Sequence, residues 1–171
     1  MSKAPNPGVT KPQRVLVVGL GTMGMSHARA YEAIDGFELV GLCTRNAAAR
    51  ADLDKAFPGA PRFGDLTEAL AALKPDAVSI CTYTEHHAPM ALEALAAGAH
   101  VFCEKPLADS LEAAEAVAAT ARKANKALLV GYILRVHPSW TLRRDWPHAR
   151  QAGCHAHEPQ STIVRVVLAG A

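Results

Sequence analysis

The sequence has no apolar run long enough to cross a membrane. Its first residues, MSKAPNPGVTKP, lack the basic-then-apolar pattern of a secretory leader. These absences argue against a helical membrane protein or an exported one. Charge of one sign is also missing. Eighteen Lys and Arg face 16 Asp and Glu, leaving a formal net charge of +2. The basic residues are scattered, and none form a stripe interleaved with aromatics, so nucleic acid is a poor partner and a membrane surface no better. Cysteine is sparse. Cys43, Cys81 and Cys103 sit in or beside apolar runs, Cys154 lies near the end, and none are closely paired. Buried free thiols in a reducing cytoplasm fit this better than a disulfide framework. Internal repeats are absent too. What remains is ordinary globular material: 171 residues, half hydrophobic and a fifth charged, enough for one domain with a real core.

The most informative stretch is Arg14 to Gly24, RVLVVGLGTMG. Val15 to Val18 is an apolar run suited to a strand buried on both faces. Gly19-Leu20-Gly21-Thr22-Met23-Gly24 is a complete GxGxxG, and Met25 to Ile34 reads as a helix. Strand, glycine turn and helix together supply the context that an isolated GxGxxG lacks. Gly19 permits the tight turn, Gly21 admits a pyrophosphate to the backbone, and Gly24 lets the helix pack close to the strand. The helix N-terminus offers unpaired N–H groups to an anion.

Along the chain, residues 1–12 read as a disordered lead-in. Phe37 to Cys43 is a second strand, Asn46 to Phe57 an Ala-rich helix, and Pro61 to Phe63 a short edge strand. Asp65 and Glu68 form a capping box for a helix whose inner face is Leu66, Ala69, Leu70 and Leu73. Asp76 to Thr82 is a further strand, followed by a helix over His87 to Ala97 with Pro89 in its first turn. Ala99 to Cys103 is a strand. Asp109 and Glu112 are expected to cap a helix running to Ala124, with Leu111, Ala114, Val117, Ala118 and Ala121 inward. Ala127 to Leu134 is the last clear strand. Alternating strands and helices predict an α/β domain, a Rossmann-type doubly wound parallel sheet over residues 13–139. Ligands of such sheets bind beyond the carboxyl ends of the strands. That directs attention to Gly19–Gly24, Thr44–Asn46, Thr82–His87, Glu104–Pro106 and Arg135–Pro138.

An NAD site usually carries an Asp or Glu after the second strand. Here Thr44 and Arg45 stand there instead. A hydroxyl and a guanidinium suit a 2′-phosphate, which tilts the cofactor toward NADP over NAD. Arg45 as a solvated loop residue, or stacked on adenine, stays open. Adjacent His86 and His87 are too few for a metal site, so no metal is expected.

The run Asp76–Thr82, then His86-His87, then Ala97 to Ala108 with Glu104-Lys105-Pro106 inside it, resembles the Gfo/Idh/MocA oxidoreductases. The resemblance implies that Lys105 of the EKP motif reaches the substrate hydroxyl or carbonyl beside the nicotinamide. It implies a cis peptide before Pro106, and it places Cys81, Thr82, Tyr83 and His87 along the cofactor pocket. Glu104 would orient the nicotinamide half, and Arg135 and Pro138 match the segment after the sixth strand. Tyr83 stands where the family often has proline. A lysine in this place suits proton transfer during hydride exchange. The implied activity is NAD(P)-dependent oxidation or reduction of a small sugar, polyol or related alcohol or carbonyl, in an enzyme that associates as a homo-oligomer. The same resemblance leaves open a dinucleotide-binding regulatory module and an inactive truncation product.

Members of that family are about twice this length, so the second, substrate-binding domain is expected to be missing here. Residues 140–171 lack helical periodicity until a short apolar run at Ile163 to Leu168. Back-translating Trp146 to Gln160 one base later permits Gly-Arg-Thr-Leu-Gly-Lys-Pro-Val-Val-Met-Arg-Met-Asn-Leu, a helix end, a turn and an alternating strand. We therefore read the tail as a frameshifted remnant of the substrate domain. On this reading the Cys154-His155-Ala156-His157 cluster is accidental.

Overall fold

The computed structural model describes residues 11–132. Residues 1–10 of the N-terminal lead-in, Arg135, Pro138, Cys154 and the 140–171 tail therefore lie outside the described residues. Chain order is β1 (Gln13–Val18), α1 (Thr22–Ala33), β2 (Phe37–Cys43), α2 (Ala51–Ala56), β3 (Arg62–Phe63), α3 (Leu66–Leu73), β4 (Ala77–Ile80), α4 (His87–Ala96), β5 (His100–Cys103), α5 (Leu111–Lys123) and β6 (Leu128–Val130). The strands form one parallel sheet in the order β3-β2-β1-β4-β5-β6. The order reverses between β1 and β4, which makes their carboxyl ends the switch point.

Period-two alternation in β1 feeds two cores. Val15 and Val17 pack with Ala28 of α1 and with Leu53 and Phe57 on one face. Leu16 and Val18 pack with Leu66 and Leu70 of α3, Ala91 and Leu95 of α4, and Val117 of α5 on the other. The expected double winding is thus present, two helices on one side and three on the other. Leu16 and Leu42 are fully buried, so truncating either to alanine costs about 2–5 kcal/mol. Gly41 lets α3 approach, because a Cβ there would meet Leu73 Cδ1 at 2.5 Å.

Four local expectations are corrected. The 46–57 helix breaks into a 3-10 turn at Ala47–Ala49 and the short α2, since Arg50 between them leaves helical geometry. Helix α1 begins at Thr22, directly on Gly21, rather than at Met25. The cap of α5 is Ser110, whose hydroxyl accepts from Ala113 N at 3.1 Å, not Asp109 one residue earlier. Starting there turns Leu111 outward, 69% exposed, while Val117, Ala118 and Ala121 face inward as expected. The Asp65 cap of α3 is observed, with Oδ1 accepting from Glu68 N at 3.0 Å.

Candidate functional site

The glycine turn sits where β1 meets α1. Gly19 N–H donates to Cys43 O, and Gly19 adopts φ +85, where a Cβ would strike the Cys81 backbone at 2.7 Å. Gly24 is tighter still, since a Cβ there would overlap the Gly19 carbonyl oxygen. Gly21 differs, since a Cβ there would meet nothing within 4 Å. No side chain caps α1 at Gly21, and its first turn holds no acidic residue. Thr22 and Met23 are exposed beside it, whereas Leu20 points into the core at 3% exposure. Uncapped amides, open space over Gly21 and no competing carboxylate fit a pyrophosphate.

Two loops face this turn across the sheet. After β4, Cys81 N–H donates to Val18 O, Thr82 lies against Gly19, and Tyr83 is 69% exposed at the rim. After β5, Glu104 N–H donates to Ile80 O, Lys105 is exposed, and the Lys105–Pro106 peptide is cis. His87, at the start of α4, joins the two loops. Its Nδ1 lies 2.6 Å from the Pro106 carbonyl and its Nε2 3.1 Å from the Thr82 carbonyl. The ring is 1% exposed. Both nitrogens are turned to protein, so His87 braces the loops instead of presenting a nitrogen to a ligand. Burial pushes the Cys81 and Cys103 thiols up to about 12, which keeps them protonated and inert. Cys43 is pushed to about 12 for the same reason, and all three are free thiols.

Glu104 is turned inward as well, only 7% exposed. Its Oε2 accepts from Lys105 N–H at 3.2 Å. Its Oε1 rests over Gly131, where a Cβ would intrude at 2.9 Å. That oxygen is fully buried without a well-aligned hydrogen bond, although His27 Nε2 lies 3.2 Å away. The contact is within ion-pair distance and is electrostatic in kind. His27 Nδ1 in turn lies 2.9 Å from Ser79 Oγ. Sequence reading missed His27 and Ser79. The available signal was Ser79 itself, a hydroxyl inside an apolar strand that requires a partner when buried.

At the other end of the cleft, Thr44 is half-buried and Arg45 exposed. Arg45, Asn46, Arg62 and Gly64 line an open hollow of about 510 Å³. Arg62, which sequence reading also missed, pairs with Asp54 at 2.6 Å. Arg50 donates from Nη1 to Leu20 O at 3.0 Å and grips Asp52 through two 2.7 Å bonds. The Asp52 partner raises the Arg50 pKa, and Arg50 lowers that of Asp52.

A family model described as an oxidoreductase family with an NAD-binding Rossmann fold matches residues 13–132. The chain belongs to the Gfo/Idh/MocA oxidoreductases. A curated relative, 4-carboxy-2-hydroxymuconate-6-semialdehyde dehydrogenase of Sphingobium sp., is 39% identical over 127 residues, covering 74% of this chain and 40% of the relative. Inositol 2-dehydrogenase of Corynebacterium glutamicum is 32% identical over 147 residues, covering 85% and 44%. Among solved structures, GenD2 from gentamicin A biosynthesis, in complex with NAD, superposes with a TM-score of 0.76 at 30% identity, covering 89% of this chain and 43% of that one. The scyllo-inositol dehydrogenase of Lactobacillus casei with NAD(H) and scyllo-inositol gives 0.72 at 27%, covering 82% and 42%. The chain thus spans about two fifths of the length of these relatives. No helix among the described residues is long and apolar enough to cross a membrane.

Proposed function

We propose that this chain holds the nicotinamide dinucleotide of an oxidoreductase acting on a sugar, polyol or related alcohol or carbonyl. The observation that carries the reading is convergence at one sheet edge. The open, uncapped Gly21 turn and the Lys105–Pro106 loop both stand at the carboxyl ends of β1, β4 and β5. When bound, the nicotinamide supplies or accepts the hydride. Gly19, Gly21 and Gly24 let the backbone approach the phosphates, and the first-turn amides of α1 donate to them. Thr82 and Tyr83 wall the loop after β4. Lys105, exposed beyond β5, donates or takes the proton of the substrate oxygen.

The reading favours NADP over NAD. Thr44 and Arg45 replace the expected carboxylate after β2, and Arg62 adds a second guanidinium to the same hollow. Fluorescence titration of the purified chain with NADPH and NADH, followed by a screen of sugars and polyols, tests both parts. Absence of binding by the folded chain refutes the function, and a clear preference for NADH refutes the cofactor choice. Relatives that name inositol or a glucoside as substrate support the sugar and polyol class.

A further inference from the structure

The buried cluster behind Lys105 carries chemistry that the glycine motif and the EKP motif do not explain. Glu104 Oε1 is sealed from solvent between Gly131 and His27. Leaving such an oxygen without a donor forfeits the hydration it had in the unfolded chain. Among the described residues, the His27 ring is the side chain within ion-pair reach of it. A hydrogen on Nε2 turns the positive end of that N–H toward the carboxylate oxygen. In the neutral ring with its hydrogen on Nε2, Nδ1 is an acceptor, and the 2.9 Å contact with Ser79 is a bond donated by the serine hydroxyl. The Tyr31 hydroxyl also faces Ser79, and burial is the main cause of its raised pKa. The histidine is fixed in plane by edge contacts, 5.0 Å to the Phe102 ring and 6.4 Å to the Tyr31 ring. One polar line thus runs from Ser79 through His27 to Glu104 and on to the Lys105 amide, whose N–H donates to Oε2.

His27 lies within the first two turns of α1, the helix whose start receives the phosphates on the reading above. The line therefore ties that helix to the loop bearing the reactive lysine. We infer that His27 is a positioning residue for the nicotinamide end of the cleft, holding Glu104 and through it the Lys105 backbone. This rests on the proposed dinucleotide reading. It predicts a division between the two halves of the cofactor. The adenosine and phosphate half binds at β1 and β2, whereas Glu104 follows β5, two strands beyond β1 in the sheet order. The nicotinamide half docks against the loop that Glu104 steadies.

Two measurements on the 171-residue chain test it. Long-range proton–nitrogen NMR, with the His27 signals assigned through His27→Gln, should find the proton on Nε2. A ring carrying its proton on Nδ1 alone overturns the inference without any ligand. Titrations with NADH or NADPH and with ADP-ribose should then separate in His27→Leu. The reduced dinucleotide should lose about tenfold in affinity while ADP-ribose shifts less than about twofold. His27→Gln, which keeps a donor, should recover most of the loss. Equal losses for both ligands, or none for either, overturn the positioning role. Wild-type chain that binds neither ligand refutes the proposed function and with it the nicotinamide part of this inference, while the tautomer still decides the His27–Glu104 contact.

Discussion

Replacing Gly24 by alanine sets two opposed effects against each other. Alanine is the better helix former by about 1 kcal/mol. Its Cβ, however, would sit 2.9 Å from the Gly19 carbonyl carbon and closer still to the oxygen. Carbon contacts relax near ~3.5 Å, so α1 must lift by at least ~0.6 Å. Ala28, fully buried one turn on, must move with it. Overpacking of this kind costs about 1–3 kcal/mol, and a rigid backbone neighbour places the site at the upper end. The net expectation is a loss of about 2 kcal/mol. Gly21→Ala is the matched control. Gly21 has φ −77 and nothing within 4 Å of a Cβ. A lost glycine stabilises by about 0.4–1 kcal/mol through the unfolded chain, and a poorer helix cap gives back a similar amount. Its stability should stay within about 0.5 kcal/mol of wild type while ADP-ribose affinity falls at least about tenfold. Urea unfolding and fluorescence titration read the two effects separately. Unchanged stability in Gly24→Ala refutes the steric argument, and unchanged affinity in Gly21→Ala refutes phosphate binding over that turn.

Other substitutions address the rest of the cleft. Lys105→Met should lower kcat of the complete oxidoreductase by about 10²–10⁴ while leaving cofactor Kd close to wild type, and a normal kcat would remove Lys105 from proton transfer. Arg45→Ala should weaken NADPH about tenfold and NADH little, as competition titration will show; equal losses would point to stacking on adenine. His87→Ala strips a buried ring from two carbonyls and should cost about 2–4 kcal/mol in urea unfolding, a value near zero being incompatible with a brace. The thiols at about 12, against 9.0 for an ordinary cysteine, hold their protons more tightly when folded. Their contribution is intact below pH 9 and is lost as pH climbs from 9 toward 12. A Cys81→Ala, Cys103→Ala chain should therefore lose less stability than wild type between about pH 8 and about pH 10.5, and parallel curves would contradict the burial.

What could be read from the chain was whatever depends on local pattern. Strand positions followed from apolar runs, the α3 cap from Asp65 and Glu68, and the family from EKP beside GxGxxG. The misreadings share a cause, which is that a neighbour distant in sequence decided them. Arg50 breaks an Ala-rich helical stretch while its guanidinium reaches back 30 residues to Leu20 O. His27 and Ser79 stand 52 residues apart, and no spacing rule joins them. Glu104 looked like a ligand contact from its motif, and only Gly131 and His27 around it show the carboxylate facing inward. Ser110 outcompetes Asp109 because the helix phase sets the cap one residue later.

The fastenings at the two ends of the cleft differ in kind, and so they answer to different solvent variables. Near β2, the glycine turn is held to its neighbour by Arg50, whose partner Asp52 lies in open water. Ions reach that pair, and added salt should slacken it within a Debye length of about 10 Å at 0.1 M. Near β5, the His87 bridge is sealed from solvent and salt does not reach it. Ionic strength is therefore expected to act selectively, slackening the Arg50 fastening of the glycine turn while leaving the loop after β5 where it is.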